Sequence, residues 1–164
     1  MTESNAQEAA VEQVATEAVH KVVVCTVGKE SFALPLEALA EIYRAVEITP
    51  LPLSPSFLVG VVNVHGNLAS VLSLAEILKA GEKPKEGLLL ILTQEYGGFA
   101  ILVEKTTGFI SYATLEEVAL ETAVEEGSVH FVEGVFRDSG NLITLINPDK
   151  LRVWIDNEFR KGED

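Results

Sequence analysis

Few residues in this chain are of a type and spacing that could do chemistry. His65 precedes Ser70 and Ser73, and a histidine near serines would suit a hydrolase. No nucleophile elbow or oxyanion element accompanies them. His20, His65 and His130 are isolated from one another and make no metal-ligand spacing. Gly28-Lys29 hints at a phosphate-binding loop. That motif needs an earlier Gly where Val23 stands, and Ser or Thr where Glu30 follows the lysine. The single Cys25 excludes an internal disulfide framework and fits a reducing compartment. No catalytic, metal or cofactor role finds a carrier, so the chain reads as a non-enzyme with an interaction surface.

Charge narrows the partners. Twenty-five acidic against 12 basic residues give a formal charge of −13. Nucleic-acid binding relies on Lys and Arg neutralising phosphates, and here the bases are scattered with no aromatics among them. Anionic membranes are disfavoured for the same reason. The longest unbroken aliphatic run, residues 88–92, is far short of the roughly 18 residues of a membrane helix. Residues 1–19 hold four Glu and no Lys or Arg, unlike the basic start of a signal peptide. A soluble, cytoplasmic protein is expected, and 164 residues with 48% hydrophobic composition suffice for a substantial core.

The elements that must position any site follow from pattern. Residues 1–20 read as a disordered acidic tail with a weak apolar stripe, Val11, Val14 and Ala18. Residues 22–27 and 31–34 form a hairpin around Gly28-Lys29-Glu30. Pro35 opens a helical turn, and residues 41–46 extend as a strand. Thr49-Pro50-Leu51-Pro52 and Ser54-Pro55 make a crossing in which regular helix cannot persist.

The central stretch comes next. Residues 58–64 and 68–72 are apolar runs joined by Gly66-Asn67, a hairpin turn signal. Residues 74–80 then suit a short helix closed by Gly81. The polar loop 81–87 marks the expected seam between two halves.

Residues 88–93 and 99–103 form a second hairpin, and 107–112 a further strand. Residues 114–126 read as a short helix or a long loop. Residues 129–136 and 142–146 flank the Asp138-Ser-Gly-Asn141 turn. The last helix has Asn147 as N-cap, Pro148 at its first position and Asp149 at the positive end of the dipole. Leu151, Trp154, Ile155 and Phe159 share its apolar face, which either packs inward or offers Trp154 to a partner. About nine or ten short strands with three short helices argue for small closed barrels.

These pieces, in order, resemble the CheW-like family, the coupling proteins of bacterial chemotaxis. The resemblance runs from about Lys21 to Arg160. It rests on Gly28-Lys-Glu-Ser-Phe-Ala-Leu-Pro-Leu36, on Leu39-Ala-Glu41-Ile42, and on Ile48-Thr49-x-Leu51-Pro52 with Pro55 and Gly60-Val-x-Asn63. The family's motif Asn-Leu-Arg-Gly-x-Ile-x-Pro-Val-x-Asp-Leu appears as Asn63-Val-His-Gly-Asn-Leu-Ala-Ser-Val-Leu-Ser-Leu74. Phe99 through Glu104 and Gly134 through Leu145 fit its second half. His65 replaces the motif Arg, Ser70 its Pro and Ser73 its Asp.

The resemblance implies a mainly β fold of two small intertwined five-stranded barrels, with short helices and a C-terminal helix, spanning residues 21–160 between short tails. It implies no catalysis and no cofactor. It implies a scaffold joining the regulatory domain of a CheA-type histidine kinase to a chemoreceptor's cytoplasmic tip, as a monomer that joins larger arrays at the inner membrane. An adaptor for a pathway driving pili or gliding is the alternative. Leu39, Glu41, His65 and Gly66 would face the receptor; Gly60, Asn63, Leu74 and Gly134 would be motif or structural positions. From the residues alone, Glu41 reads equally as a solvated charge beside Arg44, Asn63 as a turn cap, and His65 as an exposed turn residue.

Overall fold

The computed structural model describes residues 21–44, 47–79, 87–111, 116–118 and 131–161. Eleven strands form two sheets among them. β1 (Lys21–Val27) and β2 (Glu30–Pro35) make the first hairpin, and a 3-10 turn (Leu36–Ala38) leads to β3 (Leu39–Arg44). β4 (Leu58–Val64) and β5 (Asn67–Ser73) make the second hairpin, followed by helix α1 (Leu74–Ile77). β6 (Leu88–Leu92), a 3-10 turn (Gln94–Tyr96) and β7 (Ala100–Val103) come next. β8 (Lys105–Ser111), β9 (Glu116–Val118), β10 (Val132–Asp138), β11 (Asn141–Ile146) and helix α2 (Pro148–Lys161) complete the chain. None of these helices is long and apolar enough to cross a membrane.

The first sheet has the order β8-β1-β2-β11-β10-β9 and the second β3-β6-β7-β5-β4. The expected mainly β, intertwined architecture is observed, with six strands instead of five in the first sheet. The sixth, β9, falls in the segment expected as a helix or loop; Glu116–Val118 pairs with Val135 to Arg137 of β10. Residues 80–86 lie outside the described residues, and the strands flanking them, β5 and β6, share one sheet. The chain instead changes sheet at Leu36–Ala38 and at Glu104, so the second sheet is an insertion within the first.

Alternation explains why the strands are so apolar. Val22 and Val24 of β1 face an interior shared with Ala33, Phe136, Ile143 and Leu145. Val23, Cys25 and Val27 face the opposite way, into the central core. In β6, Leu89 and Ile91 line the interior of the second sheet, while Leu90 and Leu92 join the central core. Strands buried on both faces lose the polar half of the usual alternation, which gives the unbroken run of residues 88–92.

The central core joins both sheets and takes Leu151 and Ile155 from α2. Asn147 caps that helix, its Oδ1 accepting from the amides of Asp149 (3.0 Å) and Lys150 (3.2 Å). Trp154 turns inward, with its ring 5.3 Å from Phe57 and 5.5 Å from Phe131. Packing, one of the two roles open to it, is the one observed.

Candidate functional site

The site is built on the β4–β5 hairpin. The two residues between the strands are His65 and Gly66, with φ of 52° and 86°, so the turn lies one residue earlier than Gly66-Asn67, and Asn67 begins β5. Two left-handed residues give the turn whose twist matches a right-twisted hairpin. Gly enters that region freely, and His is among the side chains that tolerate it. Asn63 stabilises the turn: its Oδ1 accepts from the Gly66 amide at 2.8 Å. The turn-capping role read from Asn63 is the one observed.

This turn aims His65 at β3. Its Nε2 lies 3.1 Å from both carboxylate oxygens of Glu41, and its ring meets Tyr43 edge-on at 6.0 Å. β3 and β4 are the two edges of their sheet, so the contact ties one edge to the hairpin at the other. Glu41 therefore finds its partner in His65 across the sheet. The side chains are 68% and 38% exposed, and a pair that wet contributes on the order of 0.2–1 kcal/mol. Its value lies in presenting an acid and an imidazole side by side on the surface.

The remaining motif positions are spread over both sheets and α1. Leu39 is half-buried and packs on the central core, so it supports the surface from beneath. Gly60 sits where an added Cβ would stand 2.1 Å from the Thr49 carbonyl oxygen. Thr49 and Val61 exchange two backbone hydrogen bonds of 2.9 Å beside it, an approach that demands glycine. Leu74 is fully buried at the start of α1. Gly134 lies at a bulge opposite Leu145, with the Phe136 ring 3.1 Å from its would-be Cβ.

Ser73 is fully buried and caps α1, its Oγ accepting from the Glu76 amide at 3.3 Å. A serine does this without burying a carboxylate. Ser70 lies in the β4–β5 ladder opposite Val61.

Two exposed apolar residues escaped the sequence reading: Ile42, which takes the opposite face of β3 from Glu41, and Leu68 opposite Asn63, at 75% exposure. Both sit in runs whose period reads as core, and only the pairing register shows which face they take. Among the described residues, no three His, Cys, Asp or Glu side chains gather as a metal site.

The same order of strands and motifs is found in known proteins. The family model of the CheW-like domain matches residues 21–154. The chain belongs to the CheW-like family. Protein FrzA of Myxococcus xanthus is 31% identical over 130 residues, covering 76% of this chain and 80% of that protein. The chemotaxis protein CheW of Thermotoga maritima is 26% identical over 128 residues, covering 76% and 82%. Among solved structures, the scaffolding protein TtCheW from Thermoanaerobacter tengcongensis superposes with a TM-score of 0.65 at 22% identity. It covers 78% of this chain and 88% of its own, a likeness of fold.

Proposed function

We propose that this CheW-like chain is a non-catalytic coupling scaffold of chemotaxis-type signalling, working in the cytoplasm at receptor arrays. It joins the regulatory domain of a CheA-type histidine kinase to the cytoplasmic tip of a methyl-accepting receptor. Relatives named as chemotaxis proteins support the pathway. The observation that carries the receptor half is the Glu41–His65 pair at the family's motif turn. Leu68, in the same β4–β5 hairpin and 75% exposed, adds apolar area for a helical partner.

Signalling is a coupling free energy: receptor state biases kinase state through a body that contacts both. His65 sets this chain apart from relatives with the motif Arg. A guanidinium presents five donors in a fixed fork, whereas an imidazole presents only two ring nitrogens.

The test is a titration of the full chain against each partner from the same organism. Micromolar binding to both, with the receptor contact weakened by Glu41→Ala, is the expected result. Binding to neither partner would sink the proposal.

A further inference from the structure

The interior of the first sheet turns polar at one end. Val24 of β1, Ala33 of β2, Phe136 of β10 and Ile143 of β11 lie within its apolar part. Two residues along each strand the same face recurs, and there Thr26, Ser31, Asp138 and Asn141 stand instead. Thr26 pairs with Ser31 on one side and with Lys105 of β8 on the other. These side chains line a cavity of about 320 Å³ whose apolar part is Val24, Ile110 and Ile143. Its volume falls at the lower end of the range for ligand sites.

Two observations point to a ligand there. The Thr26 Oγ1 is cut off from solvent and has no hydrogen-bond partner, a state that native interiors rarely leave unanswered. Lys105 and Asp138 line the same cavity from β8 and β10, with β1, β2 and β11 between them. Neither belongs to an ion pair among the described residues. Charge then sorts the candidates. A chain of −13 repels free anions, and a simple amine would leave Lys105 without a partner. A molecule carrying both charges answers both groups, and the apolar part of the cavity favours a short aliphatic chain between them.

We infer that this cavity binds a small aliphatic zwitterion of the amino-acid class. Lys105 takes the carboxylate, Asp138 the ammonium, and Val24, Ile110 and Ile143 the side chain. The Thr26 hydroxyl, beside Lys105 in the ladder, donates to the same carboxylate. Hydrogen bonds to ionised groups are the stronger kind. The site belongs to the first sheet, whereas Glu41 and His65 stand on the second, so the inference adds to the coupling function and does not rest on it.

L-Valine is the probe, added at millimolar concentration to the isotope-labelled full chain. Amide NMR signals of Thr26, Ser31, Lys105 and Asp138 should shift together and saturate. Lys105→Met and Asp138→Asn should each weaken binding by about tenfold or more. Thr26→Val separates a ligand role from a structural one. It should weaken binding while Tm stays level or rises, because an unpaired buried hydroxyl is removed. No saturable shift at these amides would overturn the site. Isovalerate or isobutylamine binding as tightly as valine would overturn the zwitterion, since each carries one of the two charges. Unchanged valine binding by all three variants would also overturn the inference, reducing the shifts to an adventitious surface contact.

Discussion

Gly60→Ala should destabilise the protein by about 2–4 kcal/mol, and the structure supplies the terms. The new methyl would lie 2.1 Å from the Thr49 oxygen, 2.7 Å from its carbonyl carbon and 2.9 Å from Pro50 Cα, where ordinary contact begins at 3.4 Å. All three obstacles are backbone, so no side chain can rotate aside. The strap must move by roughly 1 Å, which breaks the two 2.9 Å bonds between Thr49 and Val61. Those bonds are worth about 0.5–1.5 kcal/mol each, and residual strain adds about 1–3 kcal/mol. Reduced freedom of the unfolded chain returns about 0.4–1 kcal/mol.

Gly66→Ala is the control. Nothing lies within 4 Å of its would-be Cβ, so only the left-handed backbone costs, at about 1 kcal/mol. Urea unfolding of the three proteins checks both numbers, with equal m-values confirming that folded and unfolded compactness are unchanged. A Gly60→Ala protein within 0.5 kcal/mol of wild type would refute the close-approach argument.

Three further outcomes are expected. A double-mutant cycle on Glu41→Ala and His65→Ala should give under about 1 kcal/mol of coupling in urea unfolding, because both side chains are wet; a larger value would mean the pair holds the sheet together. Burial pushes the Cys25 thiol up to about 12, while an unfolded thiol titrates near ~8.5. The stability this contributes is fully present below the unfolded value and is lost as pH rises toward the folded one. Wild type should therefore lose about 1.4 kcal/mol per pH unit more than Cys25→Ala between about pH 9 and pH 12, and parallel unfolding curves for the two would contradict this. Trp154→Ala should cost about 3 kcal/mol through lost contact with Phe57 and Phe131; calorimetry showing less than 1 kcal/mol would return Trp154 to the role of a partner contact.

Legibility followed the locality of each signal. The hairpins were readable because their turn chemistry is local: Ser139 and Gly140 both hold positive φ inside the stretch flagged as a turn. The helix cap at Asn147 was readable for the same reason. β3 was only partly read, because Pro35 suggested helix for residues that pair with Leu88 to Leu92, a contact invisible in a local window. The loop expected as a seam lies outside the described residues but for Gly87; the strands on either side of it, β5 and β6, join one sheet through β7, parallel to the first and antiparallel to the second. Glu41 and His65 were picked singly by resemblance. Their meeting depends on closing a sheet between residues far apart in the chain.

The crossing at Glu104 explains how the two sheets act as one body. This single residue separates β7 of one sheet from β8 of the other. Its amide donates to the Thr26 carbonyl at 3.0 Å, and its carboxylate accepts from the Gly28 amide at 2.9 Å. The crossing is thereby stitched to the first hairpin, while the central core packs both sheets against α2. Close-packed interiors deform little and transmit strain. A load applied at the Glu41–His65 edge therefore reaches the far end of β4 with its geometry kept. Along that strand Leu58, Val62 and Val64 are buried, and Gly60 is locked against the Thr49 strap. A rigid strand inside two interlocked sheets is what a scaffold requires. That is why Gly60→Ala should disturb the strand along its length through the Thr49 strap, while Gly66→Ala, with nothing within 4 Å of its would-be Cβ, should act at the hairpin turn alone.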